Sequence, residues 1–235
     1  MRRVVRKLLS PAYKFYEKRL ERQVRKSPVP NHLAVIMDGN RRYAESLGLL
    51  PYEGHLMGKG TLENLSEWCR NLDIKYLTVY AFSLENFSRD EKELDPLMDL
   101  FEESFLNAAD DPQVHKNKVR IRSIGHRELL PERVIKAIDY AEDKTKDYDD
   151  YNYNLAVAYG GRQEIVRSMT KIAEKIKAGE LDSKDIDVDL ISDNLYTSNL
   201  PDPDLILRTS GEERVSNFLL WQLAYSELYF ADVFW

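Results

Sequence analysis

The chain has 235 residues, 43% of them hydrophobic and 31% charged, with one cysteine and a net charge of −6, which is enough apolar material for a sizeable core. A single cysteine excludes disulfides and a cysteine-based zinc site. No apolar run approaches a membrane span or a signal-peptide core, which predicts a cytoplasmic protein, and the acidic body without a base-stacking motif argues against nucleic acid.

Charge is placed unevenly. Residues 1–26 carry ten Lys/Arg against Glu17 and Glu21, a net of +8, so the remainder carries −14. Val5, Leu8 and Leu9, then Tyr13, Tyr16, Leu20 and Val24, recur at three- and four-residue steps across a restart at Ser10-Pro11, the pattern of a basic amphipathic helix. Such a helix either lies on an anionic membrane surface, making the protein peripheral there, or docks on its own domain. Residues 1–30 are therefore predicted to be an arm and linker ending in Ser27-Pro28-Val29-Pro30, and residues 31–235 a single α/β domain.

The domain opens on His32-Leu33-Ala34-Val35-Ile36-Met37-Asp38-Gly39-Asn40-Arg41-Arg42-Tyr43. Leu33 to Met37 read as a strand buried on both faces, as in an all-parallel sheet. Gly39 then permits a tight turn, and Asn40 is placed to cap a helix whose first turn carries Arg41 and Arg42. A helix N-terminus with two guanidiniums suits phosphate, and a carboxylate beside it, Asp38, makes sense chiefly with Mg²⁺ between them. The alternative is an Asp-Gly turn before a solvated basic helix.

Further on, a helix over about 40–47 ends at Gly48, a loop holds Pro51, Gly54 and His55, and a second helix over about 56–72 turns Leu62, Leu65 and Trp68 inward, with Cys69 among them as a core residue. Tyr76 to Phe82 is a strand, Asp95-Pro96 starts a helix with Leu97, Leu100, Phe101 and Phe105 on one face, and Val119 to Ile124 is a third strand. That apolar face is either core or the wall of a tunnel. Pro131 opens a helix through Val134, Ile135, Ile138 and Ala141, and Tyr153 to Tyr159 is a fourth strand. Gly160-Gly161-Arg162 turns into a helix ending near Gly179, Asp204 to Leu207 is a fifth strand, and a short helix and a last strand near Leu228 to Phe230 follow. Alternation of this kind predicts a parallel, roughly six-stranded sheet flanked by helices, with the ligand site beyond the carboxyl ends of the strands.

Three such ends carry chemistry. Besides Asp38, the second strand runs into Ser83-Leu84-Glu85-Asn86-Phe87-Ser88-Arg89, and the fifth into Arg208-Thr209-Ser210-Gly211-Glu212-Glu213-Arg214-Val215-Ser216-Asn217. Arg208, Arg214 and Ser216 are candidates for a second anion site, with Glu227 as a second carboxylate for a metal. Singly, each Arg is equally suited to a surface ion pair. Neither a Walker-type loop nor a G-x-G-x-x-G after a strand is present, against a nucleotide kinase or a dehydrogenase.

Together these stretches resemble the cis-prenyltransferases, the family of undecaprenyl and dehydrodolichyl diphosphate synthases. The matches run over His32 to Tyr43, Tyr80 to Arg89, Gly160-Gly161-Arg162 and Asp204 to Val233, so the likeness extends from about residue 30 to the end, while the D-D-x-x-D motifs of trans-type synthases are missing. The resemblance implies a homodimer, Mg²⁺ dependence, and successive cis-condensation of isopentenyl diphosphate onto an allylic diphosphate to give a long polyprenyl diphosphate. It implies that Asp38 is the essential carboxylate near the metal and that Gly39, Asn40, Arg41 and Arg42 hold the allylic diphosphate, with Tyr43 and His55 lining that site. Ser83, Leu84, Glu85, Phe87 and Arg89 match the segment that closes over the substrates, and Asn86 the residue that assists proton removal. Arg208, Arg214, Val215 and Ser216 match the isopentenyl diphosphate site, and Glu227 the second metal-associated acid.

Departures from the bacterial pattern stand at Pro51, Arg41 and His126. The Arg-Arg-Tyr and Arg-Thr-Ser-Gly-Glu-Glu-Arg wording, with the basic arm, resembles archaeal members, which implies geranylgeranyl diphosphate as primer. Relatives usually continue past the position of Trp235 into a basic tail. Two rival expectations stay open: prenyl transfer to a non-isoprenoid alcohol, and a non-catalytic subunit of a heteromeric enzyme.

Overall fold

A computed structural model describes residues 15–235, so Val5, Leu8, Leu9 and Tyr13 of the expected arm stripe lie outside the described residues. Six strands form one sheet: β1 (His32–Ile36), β2 (Tyr76–Ser83), β3 (Val119–Ile124), β4 (Tyr151–Tyr159), β5 (Leu205–Arg208) and β6 (Glu227–Phe230). Their spatial order is β3-β4-β2-β1-β5-β6, and every pairing is parallel. The chain leaves β1 towards β2 on one side and later towards β5 on the other. The order therefore reverses at β1, and the crevice beyond the ends of β1 and β5 is where an open parallel sheet binds its ligand.

All five residues of β1 are buried, as expected for a strand covered on both faces. Its side chains alternate: Ala34 and Ile36 join Tyr80, Tyr159, Phe218 and Leu219 on one face, while Leu33 and Val35 join Cys69, Ile74, Leu77 and Trp235 on the other. A third cluster lies between β2, β3 and β4 and the helices α3 (Glu91–Asp110) and α5 (Glu132–Thr145), with Phe82, Leu97, Phe101, Phe105, Val134 and Ile138 at its centre. The face of Leu97, Phe101 and Phe105 is thus packed core. Cys69 is 1% exposed and burial pushes its thiol up to about 12, so it is a core residue and no nucleophile.

Several boundaries differ from the sequence reading. Helix α1 spans Asn40–Ser46, but Gly39 is its cap residue and no side chain caps it, so Asn40 lies inside the first turn instead of capping. The expected loop at Pro51, Gly54 and His55 is helical, because α2 runs from Pro51 to Asn71 with Pro51 in its first turn and Glu53 accepting from the Leu50 N–H. Leu62 and Leu65 pack against the core as expected, but Trp68 points outward at 45% exposure, and the most buried positions are Gly54, Gly58, Ser66 and Cys69. Close approach is the reason: a Cβ on Gly54 would sit 2.3 Å from the Asn40 carbonyl oxygen, and one on Gly58 3.0 Å from Trp235 Cδ1. Helix α3 begins before Pro96, capped by Asp90, which accepts from the Lys92 N–H. The short helices α4 (Pro112–Lys116) and α7 (Val188–Asp193), each capped by an Asp, were not anticipated; α6 (Gly161–Lys177) ends before Gly179 at φ +75°. The described part of the arm is helical over 15–24, and Phe15, Tyr16, Leu20 and Val24 are 40–70% exposed, so this stretch does not dock its apolar stripe on the domain.

Candidate active site

At the end of β1 the chain turns at Gly39 in a left-handed conformation (φ +111°), and a Cβ there would lie 2.9 Å from Phe234 Cδ1. Only glycine meets both demands. Three hydrogen bonds to two residues pin the turn. The Asp38 N–H donates to Thr209 Oγ1 at 3.0 Å, Thr209 Oγ1 donates back to the Asp38 carbonyl at 2.6 Å, and the Trp235 N–H donates to the same carbonyl at 3.0 Å. Parallel pairing sets Ile36 opposite Arg208, which brings the ends of β1 and β5 side by side.

Asp38 is clamped there between two guanidiniums. Arg42 Nη2 donates to Oδ1 at 3.1 Å from one turn up α1, and Arg208 Nη2 donates to Oδ2 at 2.7 Å from β5. Burial alone would raise the Asp38 pKa, but the hydrogen bonds and charges of Arg208 and Arg42 more than reverse this and hold the carboxyl below its ordinary range. Arg208 is 4% exposed; its Nη1 also donates to Ser216 Oγ at 2.8 Å and to the Arg214 carbonyl, while Nε has no partner. Arg42 further donates to Ser210 Oγ and to Glu212 at 3.5 Å, and stands over the Phe234 ring. The segment after β5 that supplies these groups carries positive φ at Ser210, Ser216 and Asn217, a concentration of strained backbone typical of ligand sites.

A cleft of about 350 Å³ opens over this clamp, lined by Met37, Asp38, Gly39, Asn40, Arg41, Arg42, Glu45, His55 and Arg89. Three elements thus contribute basic side chains to one hollow, Arg41 and Arg42 from α1, His55 from α2 and Arg89 from the segment after β2. His55 and Arg89 also face Glu93, at 3.7 and 2.7 Å, and burial followed by the charge of Arg89 lowers the His55 pKa. Asn40 Oδ1 is buried without a partner in the space left by Gly58.

Other expected site residues fall at varying distance from the clamp. Residues Leu84–Ser88 form a 3-10 turn in which Asn86 Oδ1 accepts from the Ser83 N–H at 3.1 Å. Leu84 and Phe87 pack on the core, Phe87 edge-on to Phe82, while Glu85 Oε1 accepts from Asn217 Nδ2 at 3.2 Å. Val215 packs against the Tyr80 and Phe218 cluster, and the Arg214 guanidinium turns out to Glu212. Tyr43, half-buried on α1, is not among the residues lining the cleft. Glu227 is not brought to Asp38. It pairs with Leu205 at the start of β6, three positions before Phe230 reaches Arg208, roughly 10 Å along the strand, and it is exposed. Among the described residues no group of three acids, His or Cys gathers as a metal cage. Thr209, Ser210, Glu93 and Trp235 were missed as individual contributors, and only the four-residue step from Arg89 to Glu93 was a signal.

A parallel α/β protein whose strand-end crevice gathers arginines around a carboxylate has the chemistry of an anion-binding site. The family described as "Putative undecaprenyl diphosphate synthase" matches residues 36–235. The tritrans,polycis-undecaprenyl-diphosphate synthase (geranylgeranyl-diphosphate specific) of Methanocaldococcus jannaschii is 53% identical over 228 residues, covering 96% of this chain and 81% of that protein. The enzyme of the same description from Methanopyrus kandleri is 52% identical over 235 residues, 100% of this chain and 87% of that one. Among solved structures, lavandulyl diphosphate synthase from Lavandula x intermedia in complex with dimethylallyl diphosphate superposes with a TM-score of 0.80 at 38% identity, covering 87% of each chain. A probable undecaprenyl diphosphate synthase from Campylobacter jejuni superposes at 0.70 and 36% identity, covering 87% of this chain and 86% of that one. The chain belongs to the undecaprenyl diphosphate synthase family of cis-prenyltransferases. It is an enzyme of polyprenyl diphosphate biosynthesis.

Proposed function

We propose that this enzyme condenses isopentenyl diphosphate in cis onto geranylgeranyl diphosphate, repeatedly, to give undecaprenyl diphosphate, the reaction in the names of the archaeal relatives. The observation that carries the site assignment is the Asp38 carboxylate held between Arg42 and Arg208 at the sheet's switch point. Arg41, Arg42 and the free N–H groups of the first turn of α1 receive the allylic diphosphate. Arg208 and Ser216, with Arg214 swinging in from the surface, receive isopentenyl diphosphate beside it.

Mg²⁺ fits this site as a partner of substrate. Asp38 is the carboxylate at the clamp that would hold it, and Mg²⁺ characteristically combines one or two carboxylates with phosphate oxygens and waters. When bound, it neutralises charge on the leaving diphosphate. The arginines act on the same charge from the protein side, stabilising it as the allylic C–O bond breaks and the isopentenyl double bond attacks. An amide is too weak a base to take the proton that is then lost; with Oδ1 accepting from the Ser83 N–H, Asn86 has Nδ2 to orient a diphosphate oxygen or a water that does.

The active form is a homodimer through the β6 edge. The opposite edge, β3, is guarded by Arg120 and Arg122, whereas β6 and its flanks expose Tyr225, Leu228, Tyr229, Val233 and Phe234 at 44–97%. Among the described residues no helix is long and apolar enough to cross a membrane, and the basic arm supplies a peripheral contact instead.

Incubation with labelled isopentenyl diphosphate and primers of several lengths, followed by sizing of products, tests the assignment. Long polyprenyl diphosphates from geranylgeranyl diphosphate, and little from shorter primers, are expected; a single addition to an alcohol would replace this function with another.

A further inference from the structure

One carboxylate outside the clamp joins four separate pieces of the chain. Glu93, in the first turn of α3, presents a single oxygen, Oε1, to Arg89 Nη1 at 2.7 Å, to Arg41 Nε at 3.6 Å and to His55 Nε2 at 3.7 Å. Arg41 belongs to α1, His55 to α2, and Arg89 to the segment that follows β2. The Glu93 side chain is 13% exposed and stands behind the cleft: Arg41, His55 and Arg89 line that hollow and Glu93 does not. Two guanidiniums gathered this closely repel one another, with the His55 imidazole, its pKa lowered by burial and by Arg89, beside them, and Arg41, whose side chain is 56% exposed, is free to swing into water. A charged oxygen behind them offsets the repulsion, while its single charge leaves the pair of guanidiniums with a positive charge for an anion in the cleft.

We propose that Glu93 is a positioning residue for the allylic diphosphate: its carboxylate holds Arg41 and Arg89, with His55 packed beside them, as one preformed cradle in the absence of substrate. Preorganisation of this kind saves the ordering of two long side chains on binding. The inference rests on the assignment of the cleft to the allylic substrate, so its test reads diphosphate binding separately from turnover.

Glu93→Gln keeps a hydrogen-bond acceptor for Arg89 but removes the charge. Inorganic diphosphate binding, measured by calorimetry on the full chain, is expected to weaken about tenfold, with the KM for the allylic diphosphate rising in parallel and that for isopentenyl diphosphate unchanged. The ratio of wild-type to variant affinity shrinks as salt screens the repulsion between the guanidiniums, and Glu93→Asp, which keeps the charge, recovers part of the loss. A purely structural role would lower the melting temperature and shift both KM values together, and would leave that ratio indifferent to salt. Equal or tighter diphosphate binding by Glu93→Gln overturns the proposal. If the wild-type enzyme fails to elongate a primer while Glu93→Gln still weakens diphosphate binding, the assigned reaction falls and the role of Glu93 stands.

Discussion

Asp38 carries two functions that a single substitution separates only in part. In the proposed reaction it is the carboxylate beside the diphosphates, and in the fold it is the counter-charge of Arg208, which at 4% exposure has no other acid partner among the described ion pairs. Asp38→Asn preserves the shape and is expected to lower turnover by about 10³-fold, a loss of the size seen when a preorganised charge-stabilising group is removed. It also costs about 1–3 kcal/mol, since a buried donor loses its charged acceptor. The pH dependence follows from the depressed pKa. The folded state holds the Asp38 proton less tightly than the unfolded chain, so the stabilisation is fully present above the ordinary value of 3.8 and is lost as pH falls through the lower folded value. Urea unfolding from neutral to acid pH checks this: the gap between wild type and Asp38→Asn is expected to close below that window, and a constant gap would remove the linkage. The sequence suggested a clean division of labour between the two arginines, but both hold Asp38. Arg42→Ala is therefore expected mainly to raise the KM for the allylic primer. Arg208→Ala should raise the KM for isopentenyl diphosphate and lower kcat as well, because it frees Asp38 Oδ2 and Ser216; identical kinetic profiles for the two variants would contradict this.

Among the elements, the turn from β1 to α1 and the arm show opposite kinds of dependence on their surroundings. Gly39→Ala forces a side chain into a left-handed backbone and against Phe234, and is expected to cost roughly 1–2 kcal/mol from the backbone alone, with turnover falling as the clamp shifts. A thermal melt with unchanged midpoint would show that the C-terminal residues move aside. The arm answers to a partner outside the domain. Over 15–24 its apolar side chains face solvent, and attraction of roughly 1 kcal/mol per basic residue near an anionic surface suffices for reversible binding by several of them. Deleting residues 1–26 is expected to abolish salt-sensitive co-sedimentation with anionic vesicles and to slow turnover on long products, whose apolar chains leave slowly into water, while single condensations are unchanged. Equal sedimentation of both chains would assign the arm another purpose.

At the scale of the whole molecule, the sheet has one protected edge and one exposed apolar edge. If β6 is the dimer surface, Tyr229→Glu, at a side chain 60% exposed in the single chain, yields a folded monomer by light scattering and sedimentation. An unchanged mass would place the interface elsewhere.

Local pattern alone revealed the parallel strand–helix alternation, the burial of β1 on both faces, the basic arm and the chemistry of the strand ends, because periodicity and a few side-chain types are properties of adjacent residues. The start of α2 was misread because Gly54 beside Pro51 reads as a breaker, and only close packing against α1 explains why small residues line that face. Asn40 was expected to cap, yet the space opened by Gly58 draws its side chain inward. What the tertiary structure alone decided was company. The pairing of Ile36 with Arg208, residues far apart in the chain, adds a second arginine to the one that α1 places four residues from Asp38, and the register of β6 leaves Glu227 at the other end of its strand within this chain. Convergence at Glu93 depends likewise on four elements meeting in space, and contacts over such separations leave no periodic trace in the chain.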